Sequence, residues 1–343
     1  MPPELTTGWD VGGAHLKVAQ VDGGGVRKAL QLPCTLWRGM EHLNHAIAEA
    51  RAALLPARRH GVTMTGELTD LFVDRVEGVS SIAQAMRAAL AGEEMVIYSG
   101  AAGFVATGDA KRRTREIASA NWHASARFVA SRVAGGLFVD IGSTTTDLVA
   151  FADGEVRAAG VSDDERLTTA ELRYTGVTRT PVMAIAAAVP FAGQLHPLMA
   201  ELFATAADVH RLTGALPADA DQHSTADGRG YSVEESAARL ARMLGRDSAS
   251  ADLDVWRGVA EHLSEQQLRF IHEGAVRVLS RVALERDAPV VGAGVGRFLA
   301  IVLAQRLARP YVDFATLIAG TAEAREWGAR CAPAVAVAAL LAA

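Results

Sequence analysis

Cysteine is scarce in this sequence, and its scarcity limits the classes of protein to which the chain can belong. The two cysteines, Cys34 and Cys331, stand in unrelated contexts and lack the spacing of a zinc site. This usage is typical of a reduced, cytoplasmic protein. Basic runs interleaved with aromatic residues are also missing, and the formal net charge is −5. Both observations argue against a nucleic-acid partner.

Long apolar runs are absent as well. The C-terminal run 332–343 is apolar over twelve residues, whereas a helix needs roughly twenty apolar residues to cross a bilayer. We therefore predict a packed terminal helix there and no membrane association. The N-terminal Met-Pro-Pro-Glu-Leu has neither a basic start nor an apolar signal core, so no export is expected. A chain of 343 residues, 50% of them hydrophobic, favours two domains.

Two segments with one pattern organise the rest of the chain. Each consists of a strand that ends on an aspartate, a glycine turn and a returning strand, and the two segments cover 7–21 and 137–151. A shift of 130 positions places position 10 on 140, position 12 on 142 and position 17 on 147. The sequence therefore predicts two related halves.

Both turns carry groups that bind phosphate. Glycine lets backbone N–H groups approach an anion closely, hydroxyl and ammonium groups donate to it, and aspartates hold a divalent cation directly or through water. The predicted phosphate-binding residues are Asp10, Gly12, Gly13, Lys17, Gly142, Ser143, Thr144, Thr145 and Asp147. The predicted ligands of Mg²⁺ are Asp10, Asp140 and Asp147. The alternative is a pair of ordinary hairpins, the second with a threonine-rich turn.

Further candidate binding residues come from three polar stretches. The strand that starts at position 62 is followed by Glu67, at the kind of strand end where α/β sheets bind ligands; the alternative is an acidic helix N-terminus. The stretch 118–125 carries Asn121, Trp122 and His123, which either line a pocket under the second turn or belong to the core. The loop 163–181 carries Arg179, which either binds an anionic substrate or is merely exposed.

Hydrophobic spacing predicts helices over 80–90 with a serine cap, over 117–132 and over 261–284, and a last strand over 311–318. The most polar stretch, 219–228, is predicted to be a mobile substrate loop or a surface insertion. A metal site is disfavoured there because its His and Asp residues match no ligand spacing.

A third motif, over 289–300, is a strand followed by Gly292, Gly294 and Gly296 and then a helix. Such a unit brings helix N–H groups onto an anion or lets a flat ring lie against bare backbone, so these glycines are predicted to bind a nucleotide or substrate. A dinucleotide fingerprint is the weaker alternative, because no acidic residue follows at the required distance.

Two Asp-Gly hairpins in separate halves and a late strand–glycine–helix motif resemble the arrangement of the acetate kinase, sugar kinase, heat-shock chaperone and actin superfamily. The resemblance implies an α/β protein of two ribonuclease H-like domains, the actin-like ATPase fold, with a ligand cleft between them. It implies a first domain over 1–134 with a phosphate loop at 8–17. The second would cover 135–331, with a phosphate loop at 139–147, a glycine motif at 290–297 and a polar insertion near 205–232. Residues 332–343 would form a terminal helix packed toward the first domain.

Both turns, the segment 64–70 and the Ala-Asn-Trp-His stretch at 120–123 resemble the hydantoinase/oxoprolinase-related branch of that superfamily. Within it they are similar to methanopterin-linked one-carbon pathway synthases that join a furan and a tyramine unit in methanofuran, or methylofuran, assembly. The resemblance implies that the phenol of γ-glutamyltyramine or a tyrosine analogue displaces diphosphate from an aminomethylfuranylmethyl diphosphate. We then expect Asp140 or His123 as base, Lys17 on the phosphate and Arg179 on the glutamyl carboxylate.

Two rival functions use the same residues. An ATP-dependent small-molecule kinase or a hydantoinase-type ATP-coupled enzyme would bind ATP or ADP with the two turns and the glycine motif. A nucleotide-binding regulator would need the cleft without turnover. The composition leaves the oligomeric state open, a homodimer included.

Overall fold

Two mixed β-sheets carry the architecture, and a computed structural model describes it over residues 5–23 and 25–343. The first sheet has six strands in the order β3-β2-β1-β4-β5-β6. Its strands are β1 (Thr6–Val11), β2 (His15–Asp22), β3 (Gly25–Pro33), β4 (Arg59–Met64), β5 (Glu94–Tyr98) and β6 (Phe104–Ala106). The helices of this half are α1 (Met40–Ala53), α2 (Arg75–Ala89), α3 (Thr114–Ile117) and α4 (Asn121–Ala130).

The second sheet repeats the plan. Its strands are β7 (Gly135–Ile141), β8 (Thr146–Ala152), β9 (Glu155–Val156), β10 (Leu172–Arg173), β13 (Val290–Ala293) and β14 (Tyr311–Asp313), while β11 (Ala188–Phe191) and β12 (Gln194–Pro197) form a separate hairpin. The helices are α5 (Asp163–Thr169), α6 (Ala206–Leu212), α7 (Val233–Met243), α8 (Leu253–Leu279), α9 (Arg297–Arg306), α10 (Ala322–Arg330) and α11 (Ala332–Ala342).

The strand pairing shows the repeat directly. β1 is antiparallel to β2 and parallel to β4, and β7 is likewise antiparallel to β8 and parallel to β13. In the first hairpin Asp10 lies opposite Lys17, and in the second Asp140 lies opposite Asp147. Directly opposed residues of an antiparallel pair project from the same face of the sheet. Each hairpin therefore presents a pair of charged side chains beside its turn.

Helices α4 and α11 connect the two sheets. α11 packs on β1, β2 and β4 and also on α4, which in turn contacts β7, β8 and β9. Gly8 permits this approach, because a Cβ atom there would overlap the carbonyl oxygen of Ala334. The apolar core around these helices includes Val21 of the first sheet and Phe151 of the second. The boundary between domains at 134/135 stays a prediction.

Several predicted elements have different bounds in the structure. α2 begins at Arg75 and is capped by Asp74, whose carboxylate accepts the N–H of Glu77 at 2.8 Å. The helix predicted over 117–132 is α4, which begins at Asn121 and ends at Ala130. Ser119 adopts a left-handed φ of 53° just before it and separates it from the short α3. α8 both begins and ends earlier than predicted, and the last strand ends at Asp313, where a short 3₁₀ turn begins.

Candidate active site

The two glycine turns have the same local geometry and face each other. The N–H of Gly12 donates to the carbonyl of His15 at 3.0 Å, and the N–H of Gly142 donates to the carbonyl of Thr145 at 2.9 Å. Across the gap, Ser143 Oγ lies 3.4 Å from His15 Nδ1. The tips of the two hairpins therefore meet at one place.

A cleft of about 580 Å³ opens between these turns. Residues of both halves line it, which agrees with the predicted site between them. Most of the predicted site residues belong to this lining, namely Asp10, Gly12, Gly13, Lys17, Asn121, Gly142, Ser143, Thr144, Thr145, Asp147 and Arg179. The tertiary structure thus brings together side chains that are more than 100 positions apart in the sequence.

The floor of the cleft is acidic but partly neutralised. Burial raises the pKa of Asp10 to about 6, although the charge of Lys17 and a hydrogen bond from Asn121 oppose the rise. Burial also raises the pKa of Asp147, even though Arg166 Nη2 lies 2.9 Å from Asp147 Oδ1. Arg166 is 1% exposed, and both members of this ion pair border the cleft.

Asp140, the first predicted base, does not line the cleft. Its carboxylate is 7% exposed and lies against Gly294, where a Cβ atom would overlap Oδ1. Burial raises its pKa to about 7, and the charge of Lys17 only partly offsets this effect. Asp140 is absent from the residues that line the cleft, and its charge acts on Lys17, which does line it.

The predicted Mg²⁺ ligands form a different arrangement from the expected one. Among residues 5–23 and 25–343, no group of three or more His, Cys, Asp or Glu side chains is placed to hold a metal ion. Lys17 feels the charges of Asp10, Asp140 and Asp147 and partly neutralises them. Two of the carboxylates, Asp10 and Asp147, do face the cleft.

These two carboxylates fit a Mg²⁺ ion that arrives with a phosphate ligand. Asp10 Oδ1 is buried and has no hydrogen-bond partner in the described part of the chain. Mg²⁺ prefers hard oxygen ligands, keeps several waters and is commonly held by one or two carboxylates together with substrate phosphates. A diphosphate and water would complete such a coordination shell.

The structure does not bring His123 and Trp122 into the cleft lining. His123 Nδ1 lies 2.9 Å from the hydroxyl of Tyr98, and burial with the nearby charge of Arg127 lowers the pKa of His123 to about 4. The Trp122 ring lies beneath Arg166, whose guanidinium carbon is 4.0 Å from the ring centroid. The prediction that these two residues line the pocket is wrong. Instead, His123 contacts Tyr98, and Trp122 packs under Arg166.

The three glycines of the late motif also lie outside the cleft lining. A Cβ atom at Gly292 would meet the Tyr311 ring, and one at Gly296 would overlap the Ile141 side chain. Their small size therefore serves the close packing of β13 and α9 on neighbouring protein groups. Packing accounts for their small size, and the predicted nucleotide- or substrate-binding role stays a prediction.

Three aromatic residues beside the first turn were missed in the sequence. The His15 ring lies 4.6 Å from the His223 ring, and the Trp37 ring lies 6.0 Å from His223. Arg179 completes the group, with its guanidinium carbon 4.8 Å from the Trp37 centroid and Nη1 3.5 Å from Thr144 Oγ1. The one sequence signal for this group was the position of His15 inside the first phosphate motif.

The polar 219–230 segment reaches this group from the second half. The side-chain amides of Gln222 and Gln31 are 3.1 Å apart, and Asp219 forms an ion pair with Arg330 at 2.7 Å. The segment contacts the cleft-lining residue His15 through His223. Its predicted role as a substrate loop stays a prediction.

Comparison with known proteins shows to which family the chain belongs. Residues 58–341 match the model of the hydantoinase/oxoprolinase family. The chain belongs to this family. The fold is similar to a solved, nucleotide-free structure of acetone carboxylase, an enzyme of ATP-dependent acetone carboxylation. The match covers 97% of this chain and 70% of that chain, with a TM-score of 0.53. At 10% identity it shows the fold alone, and the predicted actin-like ATPase fold is confirmed.

Two relatives bear the same functional name, (4-{4-[2-(γ-L-glutamylamino)ethyl]phenoxymethyl}furan-2-yl)methanamine synthase. The one from Methanocaldococcus jannaschii is 29% identical over 84% of this chain and 86% of its own length. The one from Methanococcus vannielii is 27% identical over 46% of this chain and 70% of its own. The comparison identifies this member of the hydantoinase/oxoprolinase family as an enzyme, as predicted. No helix of the described residues has the length and apolarity needed to cross a bilayer.

Proposed function

We propose that the protein joins a phenol to a furan by displacing diphosphate from an aminomethylfuranylmethyl diphosphate. The phenol would belong to γ-glutamyltyramine or a tyrosine analogue, in methanofuran or methylofuran assembly. The observation that carries the proposal is the meeting of the two glycine turns in a single cleft, with Ser143 and His15 3.4 Å apart. The likeness to two synthases of this chemistry supports it.

Departure of diphosphate is the step that the cleft favours. The bond between the furan methylene carbon and the phosphate oxygen breaks, and its electron pair leaves with the diphosphate. Lys17, the backbone N–H groups of the turns and Arg179 would stabilise that charge. Mg²⁺, when bound, neutralises phosphate charge beside Asp10 and Asp147. Because the furan ring delocalises positive charge on the methylene carbon, the phenol need not be a strong nucleophile.

Arg179 fits the diphosphate better than the predicted glutamyl carboxylate. Its guanidinium lies against Thr144 in the second turn and is held there by the Trp37 ring. The backbone N–H of Arg179 also donates to Ser143 O at 2.9 Å, which fixes the residue beside that turn. A guanidinium in this position can donate two hydrogen bonds to one phosphate.

His15 is our candidate for the base in place of Asp140 and His123. It lines the cleft, is 4% exposed, and its Nε2 has no partner among the described residues. Burial and the positive charges of Lys17 and Arg179 lower its pKa well below 6.5, so the ring is neutral at pH 7. A weak base suffices, because the phenol oxygen becomes strongly acidic as its bond to carbon forms. The phenol proton then moves to Nε2 while the ether bond forms.

The test is direct coupling. Purified protein with Mg²⁺, the furanylmethyl diphosphate and γ-glutamyltyramine or γ-glutamyltyrosine should yield the aryl ether and one free diphosphate, both detectable by mass spectrometry. His15→Gln should lower kcat by about 10²-fold or more with little change in KM, whereas the exposed control His45→Gln should not. Absence of coupled product with either phenol would refute the proposal.

Measurements of ATP hydrolysis and ATP binding examine the rival functions. An ATP-coupled enzyme would hydrolyse ATP at a rate that depends on a cosubstrate, and a regulator would bind ATP without turnover. We expect neither activity, because the glycine motif packs against protein and lies outside the cleft lining.

A further inference from the structure

Two carboxylates and the serine between them form a hydrogen-bonded group at the wall of the cleft. We call Glu67, Ser119 and Asp163 the acidic wall. Ser119 Oγ is 2.9 Å from Glu67 Oε1 and 3.1 Å from Asp163 Oδ2. Ser119 and Asp163 line the cleft, and Glu67 is 1% exposed behind them. Glu67 comes from the first half and Asp163 from the second.

The acidic wall lacks hydrogen-bond donors. A serine hydroxyl has a single hydrogen and can donate to only one of the two carboxylates that contact it. Glu67 Oε2 is also buried and has no partner anywhere in residues 5–23 and 25–343. A carboxylate left in this state is costly. The group therefore has acceptor atoms that only an additional donor can satisfy.

When Glu67 is ionised, the acidic wall also carries a negative charge that no neighbouring cation pairs with. Arg75 Nη2 lies 2.8 Å from Asp163 Oδ2 and neutralises that carboxylate. Glu67 has no ion-pair partner within the described ranges. The nearest charges that act on it are those of Asp163 and Arg75, and burial is the main cause that raises its pKa to about 7. A ligand with one positive charge would balance the group.

The position of the acidic wall matches a substrate with two charged ends. The negative charge of Asp163 is felt by Asp147, which borders the second glycine turn. A cation on the acidic wall and a diphosphate at the turns would thus be neighbours within one cleft. The furan substrate of the proposed function has this character, because it carries an aminomethyl group at one side of the ring and a diphosphate at the other.

We propose that Ser119 and Asp163, with the Glu67 carboxylate behind them, form a site for the primary ammonium group of the furan substrate, an inference that rests on the proposed function. An ammonium group brings three donors and one positive charge. Its donors can reach Ser119 and Asp163 at the cleft surface, and its charge would offset that of Glu67 behind them. Because a site built around buried hydrogen-bonding groups rejects analogues that lack the partner, these residues would select the aminomethyl substrate over uncharged furans.

The experiment compares two substrates in matched variants. One diphosphate carries the aminomethyl group and the other carries a methyl group in its place. We expect Glu67→Gln and Asp163→Asn to lose at least tenfold in kcat/KM with the aminomethyl substrate, mainly through KM. With the methyl analogue, both variants should stay within about twofold of the wild type. Asp164→Asn, a change at the exposed neighbour of Asp163, is the control and should alter neither.

The possible results separate the two proposals. Equal losses with both substrates would overturn the ammonium site and leave a structural role for the acidic wall. If the wild type couples neither substrate, the proposed function fails, and binding of the two diphosphates with Mg²⁺ is then measured by calorimetry. Tighter binding of the aminomethyl compound that is lost in Glu67→Gln would still support the ammonium site, and equal binding would refute it.

Discussion

Lys17 lies among three acidic side chains, and this placement determines what the residue can do in the reaction. Burial by itself lowers the pKa of the Lys17 ammonium, but the charges of Asp10, Asp140 and Asp147 outweigh burial and raise it. The ammonium group is therefore charged at every physiological pH. It is oriented before substrate arrives, as electrostatic stabilisation of a leaving group requires.

Asp10 reduces the stability of the folded protein at neutral pH. Burial raises its pKa from 3.8 to about 6, so the folded state holds the proton more tightly than the unfolded chain does. The stability that this proton contributes is complete below about pH 4 and is lost as the pH rises to about 6. The pKa difference corresponds to a free energy of about 3 kcal/mol.

Between pH 4 and pH 7, the free energy of unfolding of Asp10→Asn should therefore fall by on the order of 2–3 kcal/mol less than that of the wild type. Urea unfolding at pH 4, 5, 6 and 7 measures the free energy of unfolding of both proteins. Asp287→Asn, a change at an exposed carboxylate, is the control and should follow the wild type. Parallel curves for Asp10→Asn and the wild type would show that Asp10 ionises without cost.

At the scale of elements, the hairpin turns were predictable from the sequence, whereas the close packing of the glycine motif was not. A glycine after an aspartate-terminated strand has one main use, so the local pattern was sufficient for the turns. The glycines at 292–296 admit two explanations, ligand approach or protein packing. Only the neighbours decide between them, and Ile141 and Tyr311 come from other parts of the chain.

Gly294→Ala tests the packing role of the motif. Gly294 has a φ of 82°, and a Cβ atom there would overlap Ile141 O and Asp140 Oδ1. Gly214 is a matched control, since its φ is 73° but the space around it is open. We expect Gly294→Ala to lose about 3 kcal/mol or more in the free energy of unfolding and Gly214→Ala about 1 kcal/mol. Equal losses in urea unfolding would contradict a packing role.

At the scale of the whole molecule, the cleft exists because two similar halves are joined face to face. Helices α4 and α11 pack between the sheets, and the ion pairs Arg75–Asp163 and Arg115–Glu165 cross from one half to the other. A ligand that contacts both turns would add a further connection. Its binding should therefore stabilise the molecule as a unit.

Mg²⁺ and inorganic diphosphate together should raise the melting temperature by a few degrees, because saturation at about 100 times Kd adds about 2.7 kcal/mol. Each component alone should have a much smaller effect. The acidic side chains Asp10 and Asp147 repel free diphosphate, and no described set of three side chains holds the cation alone. Thermal unfolding with each component and with both provides the measurement. Equal stabilisation by diphosphate alone would show that diphosphate binds without a cation, contrary to this prediction.

The sequence by itself determined the internal repeat, the two glycine turns and the class of fold. These features depend on short-range patterns such as strand alternation, aspartate before glycine and a fixed shift of 130 positions. The tertiary structure alone decided which side chains share the cleft. It brings the His15 and His223 rings together, leaves Asp140 and His123 out of the cleft lining, and places Glu67 behind Ser119. Contacts of this kind join residues distant along the chain, and their charges depend on burial, which no local pattern records.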